Sequence, residues 1–161
     1  MKKILLLSGA ALLLTRLLTK GAGYKQFYEK MNYYQKIKVH SITLSGIMLK
    51  CDIEIHNPVS FSLTISKPLI RVFSNNTEIA HSAPDSAKVN ILPKAVTKIP
   101  TIDILIPWSI DFAKIIAALG VKAVDIIKGG AGKQIGIKIK TVALMNVDGL
   151  KDITQTQEVV I

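Results

Sequence analysis

A two-residue alternation of apolar and polar side chains dominates the chain from residue 37 onward. It is clearest at 48–56, where Leu49, Cys51, Ile53 and Ile55 fall on one face and charged or polar residues separate them. Alternation with this period is typical of a strand in an antiparallel sheet that buries one face and exposes the other. The chain is therefore predicted to be mainly β.

Turn-forming residues divide this region into short strands. Asn57-Pro58 is predicted to end the 48–56 strand, because proline cannot donate a hydrogen bond to the ladder. Asn75-Asn76 is predicted to form a hairpin turn, since asparagine tolerates positive φ. Seven or eight short strands with frequent turn signals favour a fibronectin-III/immunoglobulin-like antiparallel β-sandwich.

The apolar period changes to a helical one near residue 108. Apolar residues from Ile110 to Leu119 recur at helical spacing, and Ser109 suits a helix start. A second short helix is predicted at 121–128, and strands resume at 134–144 and 151–161. The predicted sandwich thus carries a helical insertion.

The excess of positive charge is concentrated at the front of the chain. The protein has 21 basic and 11 acidic residues, a net charge of +10, and residues 1–50 hold nine of the basic groups and one acid, Glu29. A nucleic-acid-binding domain would more often spread its lysines over a folded face. Here they flank a hydrophobic segment, which indicates an anionic lipid surface rather than a nucleic acid as the partner.

Residues 1–20 form a basic, hydrophobic segment. Lys2-Lys3 precedes an eleven-residue apolar run at 4–14, and Arg16 and Lys20 follow it. As a helix, residues 4–19 would span about 24 Å, less than the roughly 30 Å hydrocarbon core of a bilayer. Three interpretations stay open: an uncleaved membrane anchor, a cleaved secretory signal, and a helix buried in a protein assembly.

Residues 21–36 are predicted to connect this segment to the β domain at 37–161. Five aromatic residues and several lysines crowd between residues 24 and 36. This composition suits the lipid headgroup zone, but it also suits an amphipathic helix packed on the domain. The residues predicted to contact a membrane are Lys2, Lys3, Leu5, Leu6, Leu12, Leu13, Arg16, Lys20, Tyr24, Phe27 and Tyr28.

The segment from about residue 36 to 161 resembles the type 2 late embryogenesis abundant family, the water-stress and hypersensitive-response (WHy) domain. The resemblance rests on the order of short motifs, which are Asn57-Pro58, Ile79-Ala80, Pro93 and Pro107. It implies a fibronectin-III-like sandwich with a helix near one end, and a binding, protective or scaffolding role without enzymatic activity. The hydrophobic basic N-terminus departs from the common pattern, although membrane-anchored relatives exist.

The chain shows no predicted catalytic, metal or cofactor site. His40, His56 and His81 lack the spacing of metal ligands. Cys51 falls on an inward strand face, which predicts a buried, inert thiol. The glycine-rich stretch at 129–133 lacks residues that a phosphate-binding loop needs.

Two functional hypotheses remain. The first is a non-enzymatic, membrane-tethered binding or protective module, located at a bacterial envelope. The second is a structural subunit of a large assembly, such as a virion or envelope machine, that docks through sandwich edges and the N-terminal helix. Protein partners or self-assembly are compatible with both.

Overall fold

The fold is mainly β, as predicted. The computed structural model describes residues 21–118, 126, 128, 136–148 and 151–161. About 60% of the described residues lie in strands, and the sheets are antiparallel and curl into a half-barrel. The strands are β1 Asn32–Thr43, β2 Gly46–His56, β3 Leu63–Ser66, β4 Leu69–Ser74, β5 Thr77–His81, β6 Lys88–Ile91, β7 Val96–Pro107, β8 Lys138–Val147 and β9 Lys151–Val160. Helix α1 includes residues 21–30, and helix α2 is Ile110–Ala118.

The first sheet has three strands in the order β1-β2-β7. Leu49, Cys51, Ile53 and Ile55 of β2 are all buried, so the predicted inward face is confirmed. The β1–β2 hairpin closes with Thr43 opposite Gly46.

The second sheet follows the order β5-β4-β8-β3-β6, and β9 pairs with β8. β4 and β3 pair with the same strand, β4 from Leu69 opposite Leu144 and β3 at Ile65 opposite Val147. Asn75 and Asn76 form the β4–β5 turn with φ of 49° and 64°, which confirms the predicted hairpin.

Branched aliphatic side chains, most of them isoleucine, build the core. Phe27 of α1 and Phe112 of α2 are fully buried with them, so both helices contribute to it. A polar link crosses between the sheets: Gln35 Nε2 of β1 donates to Thr141 Oγ1 of β8 at 3.2 Å. Every buried side-chain nitrogen or oxygen in the described residues has a hydrogen-bond partner, as burial of polar groups requires.

Several boundaries differ from the predicted ones. Within the predicted connector at 21–36, α1 packs on the sheets through the buried Phe27, and β1 begins at Asn32 rather than at residue 37. β8 extends to Val147 rather than ending at residue 144. Of the second predicted helix, the described residues are Ile126 and Lys128, and both are helical. The hydrophobic helix predicted within residues 1–20 lies outside the described residues.

The strands run between two ends of the molecule. We call the end formed by α1, the 57–62 loop, the 92–95 turn and Asp148 the α1 end. Its elements contact one another through Tyr24, Phe61 and Asp148. We call the opposite end, with residues 43–46 and 107–110, the far end. There Trp108 Nε1 donates to the Thr43 carbonyl oxygen at 2.8 Å.

Candidate functional site

Helix α1 packs one face against the sheets and loops at its end of the molecule and turns the other face to solvent. Phe27 has no exposed surface, and the Tyr24 ring meets the Phe61 ring edge-on with centroids 5.5 Å apart. The exposed side chains of α1 include Lys25, Lys30 and Glu29. The sequence left two interpretations of this segment open, and the structure shows the packed amphipathic helix.

This packing corrects one predicted membrane contact. Phe27 cannot contact lipid in this arrangement, because its whole surface is buried in the protein core. Tyr24 and Tyr28 are partly exposed at the edge of the helix, and their rings lie 6.5 Å apart. The other residues predicted to contact a membrane lie in 1–20, outside the described residues.

Asp148 is the point at which α1 is fastened to the sheets. Its Oδ2 accepts a hydrogen bond from the Tyr24 hydroxyl at 2.7 Å, and its Oδ1 accepts one from the Thr64 backbone nitrogen at 2.7 Å. The hydrogen bond to Asp148 and partial burial raise the pKa of Tyr24 to about 12. Tyr24 is therefore a neutral donor at physiological pH.

Asn57, the first residue of the Asn-Pro motif, organises the loops of the α1 end. Its Nδ2 donates to the carbonyl oxygens of Phe61 at 2.9 Å and Leu92 at 3.0 Å, while its Oδ1 accepts from the Val59 nitrogen at 3.0 Å. The side chain is fully buried. Asparagine suits this position because one amide group both donates twice and accepts.

The other motif residues occupy structural positions apart from one another. Ile79 and Ala80 are buried in β5, next to a register shift in its pairing with β4. Pro93 lies in the exposed turn between β6 and β7, and Pro107 ends β7. The motif is therefore distributed through the fold and does not converge on one pocket.

The 92–95 turn presents apolar and basic side chains to solvent. Leu92 is 52% exposed and Val96, the first residue of β7, is 56% exposed. Pro93 and Lys94 between them are exposed as well, and Lys94 has a φ of 47°. Apolar side chains and a lysine are thus displayed together on a tight turn.

A groove of about 530 Å³ lies on the outer face of the first sheet. It forms where two residues of β7, Pro100 and Thr101, stand opposite Asp52 of β2. Thr101 Oγ1 donates to Asp52 at 2.7 Å, and Lys38 Nζ lies 3.5 Å from the same carboxylate. The Thr101 hydrogen bond and the nearby lysines hold the pKa of Asp52 below its usual value. The groove therefore offers a polar surface whose charges largely pair with each other.

The reactive side chains do not form a catalytic arrangement in the described residues. Cys51 is buried, and burial raises the pKa of its thiol to about 12, as expected for an inert cysteine. His81 Nδ1 lies 3.2 Å from Glu78 on the surface of β5. No group of three or more potential metal ligands occurs in the parts of the chain that the structure describes. Across the same residues, no helix is both long and apolar enough to cross a bilayer.

The sequence does not identify Asp148 as a site residue. The available signal was the Val147-Asp148-Gly149 turn pattern, which correctly places a turn at Asp148. That pattern does not reveal a partner at Tyr24, 124 residues away.

Comparison with known proteins gives limited similarity. No family model matches the chain, and no curated protein matches it. The chain is similar to a crystal structure of a protein from Archaeoglobus fulgidus, with 11% identity and a TM-score of 0.47, over 82% of this chain and 98% of that one. It is also similar to the solution structure of an Arabidopsis thaliana protein, with 16% identity and a TM-score of 0.46, over 78% of each chain.

Proposed function

We propose that this protein is a non-enzymatic binding or protective module that residues 1–20 hold at an anionic membrane. In this proposal the two sheets form a fibronectin-III-like sandwich of the type 2 late embryogenesis abundant kind. The membrane belongs to a bacterial envelope, with a virion membrane or capsid as the alternative location.

The packing of α1 is the observation that carries this proposal. Tyr24 and Phe27 fasten α1 to the sheets, so Gly21, the first described residue, has a defined place on the body. A hydrophobic segment inserted in the bilayer would hold the body close to it, because the segment is followed at Gly21 by a helix that is itself packed on the sheets.

The charge distribution supports an anionic surface. Lys25 and Lys30 lie exposed on α1, and Lys20 precedes the helix in the sequence. Lysines close to an anionic leaflet contribute about 1 kcal/mol each, and salt screens this attraction. The nearest acid on the helix, Glu29, lies 3.9 Å from Lys25 Nζ and offsets part of its charge.

Flotation of the full chain with lipid vesicles tests the proposal. We expect it to float with phosphatidylcholine vesicles that contain phosphatidylglycerol, and less with phosphatidylcholine alone. The Leu12→Lys/Leu13→Lys variant should lose flotation, because two charges in the apolar run oppose insertion. Lys2→Glu/Lys3→Glu should weaken it, whereas the same charge change on the body, Lys138→Glu/Lys140→Glu, should have a smaller effect. Failure of the full chain to float with either vesicle would overturn the proposal.

A structural subunit of a large assembly is the second candidate. The far end favours it, because Leu44 is 90% exposed and Ile110 is 77% exposed on either side of the Trp108–Thr43 hydrogen bond. Exposed apolar side chains grouped in this way are typical of protein contacts. Sedimentation of the native protein separates the candidates: a megadalton particle that persists in mild detergent favours the assembly subunit, and a small detergent-released species favours the tethered module.

A further inference from the structure

We propose that the segment 92–96 is a second membrane contact, which places Leu92 and Val96 among the headgroups of an anionic lipid surface. The inference rests on the proposed membrane tether, and it adds a contact surface on the β domain itself. It commits to lipid as the occupant because of where the segment lies, which charges surround it, and how its backbone is held.

The 92–96 segment lies at the same end of the molecule as the start of α1. The Lys94 backbone nitrogen donates to the Val59 carbonyl oxygen at 3.0 Å, and the Asn57 backbone nitrogen donates to the Ala95 carbonyl oxygen at 3.0 Å. Val59 in turn lines a hollow of about 310 Å³ with Ala22 and Gly23 of α1. The chain therefore enters the described structure beside the loops that carry the 92–96 segment.

The exposed surface of the segment combines apolar area with positive charge. A single exposed aliphatic residue is ordinary on a protein surface. Here Leu92 and Val96 are each about half exposed within five residues, and Pro93 and Lys94 lie exposed between them. A lysine on such a turn can keep its ammonium at the headgroups while neighbouring aliphatic groups go deeper.

The charge on the segment suits an anionic surface. Lys94 is exposed, and its ammonium forms no ion pair within the described residues. Its charge is therefore available to a negatively charged headgroup. This charge complementarity favours an anionic lipid surface over an uncharged one.

The turn is held in one shape before any contact forms. The buried Asn57 side chain donates to the Leu92 carbonyl oxygen at 3.0 Å. The Leu92 backbone nitrogen donates to Thr97 Oγ1 at 3.2 Å, so both backbone groups of Leu92 are held. A preorganised turn loses little conformational entropy when it binds. The exposed apolar groups can therefore contribute most of their burial to association.

A fluorescent label at position 92 tests the inference in the full chain. Leu92→Cys introduces an accessible thiol, while the native Cys51 is buried with a pKa raised to about 12 and should take up little label. The matched control is Leu44→Cys, at an exposed turn residue of the far end. Each variant is labelled with a polarity-sensitive dye and mixed with phosphatidylcholine/phosphatidylglycerol vesicles, while co-sedimentation measures binding in the same samples.

We expect both labelled proteins to bind vesicles, and only the label at position 92 to show blue-shifted emission and quenching by brominated lipid. Binding with the position-92 label still in water would overturn this inference and leave the tether proposal standing. Absence of binding by the unlabelled full chain would overturn both. As a second test, Leu92→Gln/Val96→Gln should weaken vesicle affinity by roughly tenfold without loss of the folded far-ultraviolet spectrum. Unchanged affinity of that folded variant would also contradict the inference.

Discussion

The hydroxyl of Tyr24 donates a 2.7 Å hydrogen bond to the carboxylate of Asp148, which lies 124 residues later in the chain. The same carboxylate accepts a hydrogen bond from the Thr64 backbone nitrogen, and the Asp148 backbone nitrogen donates to the Thr64 carbonyl oxygen at 2.6 Å. Asp148 thus joins α1, the start of β3 and the end of β8. In the proposed function this hold on α1 matters, because it fixes the position of Gly21, the residue that follows the predicted anchor.

Tyr24→Phe should loosen α1 while leaving the sheets folded. The substitution keeps the ring contact with Phe61 and removes one partly buried hydrogen bond, which costs about 1 kcal/mol of unfolding free energy. Urea denaturation would measure this loss, and amide hydrogen exchange should rise most in residues 21–31. Equal increases in exchange throughout β2 and β8 would contradict a local role for the bond.

The same pair predicts a difference in alkaline stability. The folded pKa of Tyr24 is raised to about 12 from the ordinary 10.0. The stabilisation is therefore complete below pH 10 and is lost as the pH rises from 10 through 12, because the unfolded tyrosine ionises first. The stability difference between the native chain and Tyr24→Phe should shrink across that range. A difference that stays constant from pH 8 to 12 would contradict a pKa of Tyr24 that folding raises.

Asn57→Ala should be among the more destabilising polar substitutions. It removes donors to Phe61 and Leu92 and an acceptor for Val59, and it leaves one buried and two partly buried backbone groups unpaired. We expect a loss of about 2–4 kcal/mol in urea denaturation. Asn90→Ala is the matched control, since Asn90 is exposed in β6 and its removal should change stability by less than about 0.5 kcal/mol. Equal effects of the two variants would contradict the proposed loop-organising role of Asn57.

Local patterns were sufficient to predict much of the fold. The alternation at 48–56 placed Leu49 and Cys51 inside, and Asn75-Asn76 placed a hairpin turn, because each of these features depends on neighbours within a few residues. The start of β1 was harder to locate. Asn32 and Tyr33 follow α1 directly, and an aromatic, basic stretch has the same composition whether it faces lipid or packs on a sheet.

The candidate site could be predicted less well, because tertiary pairing determines it. Asp148 lies in a turn, where an aspartate usually faces water, and nothing near it in sequence indicates the Tyr24 hydroxyl. The sequence likewise does not show that Leu92 and Val96 are both exposed. Alternation alone would divide the apolar residues of this stretch between core and surface. Their display depends on the bonds that Asn57 makes to the turn.

Gly46→Ala should destabilise the first sheet. Gly46 has a φ of 148°, and a β-carbon there would lie 2.1 Å from the Ile106 carbonyl oxygen, which is backbone and cannot rotate away. Strain and the steric clash together should cost about 2–4 kcal/mol. Gly136→Ala separates the two causes, because Gly136 has a φ of 77° with nothing within 4 Å of the added carbon, and should cost about 1 kcal/mol. Thermal denaturation would rank the variants, and a larger loss for Gly136→Ala would contradict the steric argument.

Cys51 should react with thiol reagents only as the protein opens. Its side chain is buried between the sheets, and burial together with the nearby Asp52 raises its pKa to about 12. At pH 8 the thiolate fraction is then at least about a hundredfold below that of an ordinary cysteine, and the reagent also lacks access. We expect the native labelling rate to follow the unfolding equilibrium, rising with urea in step with the loss of β structure. Fast labelling of the native chain would mean that β2 is accessible without unfolding, and would contradict the packing that buries Cys51.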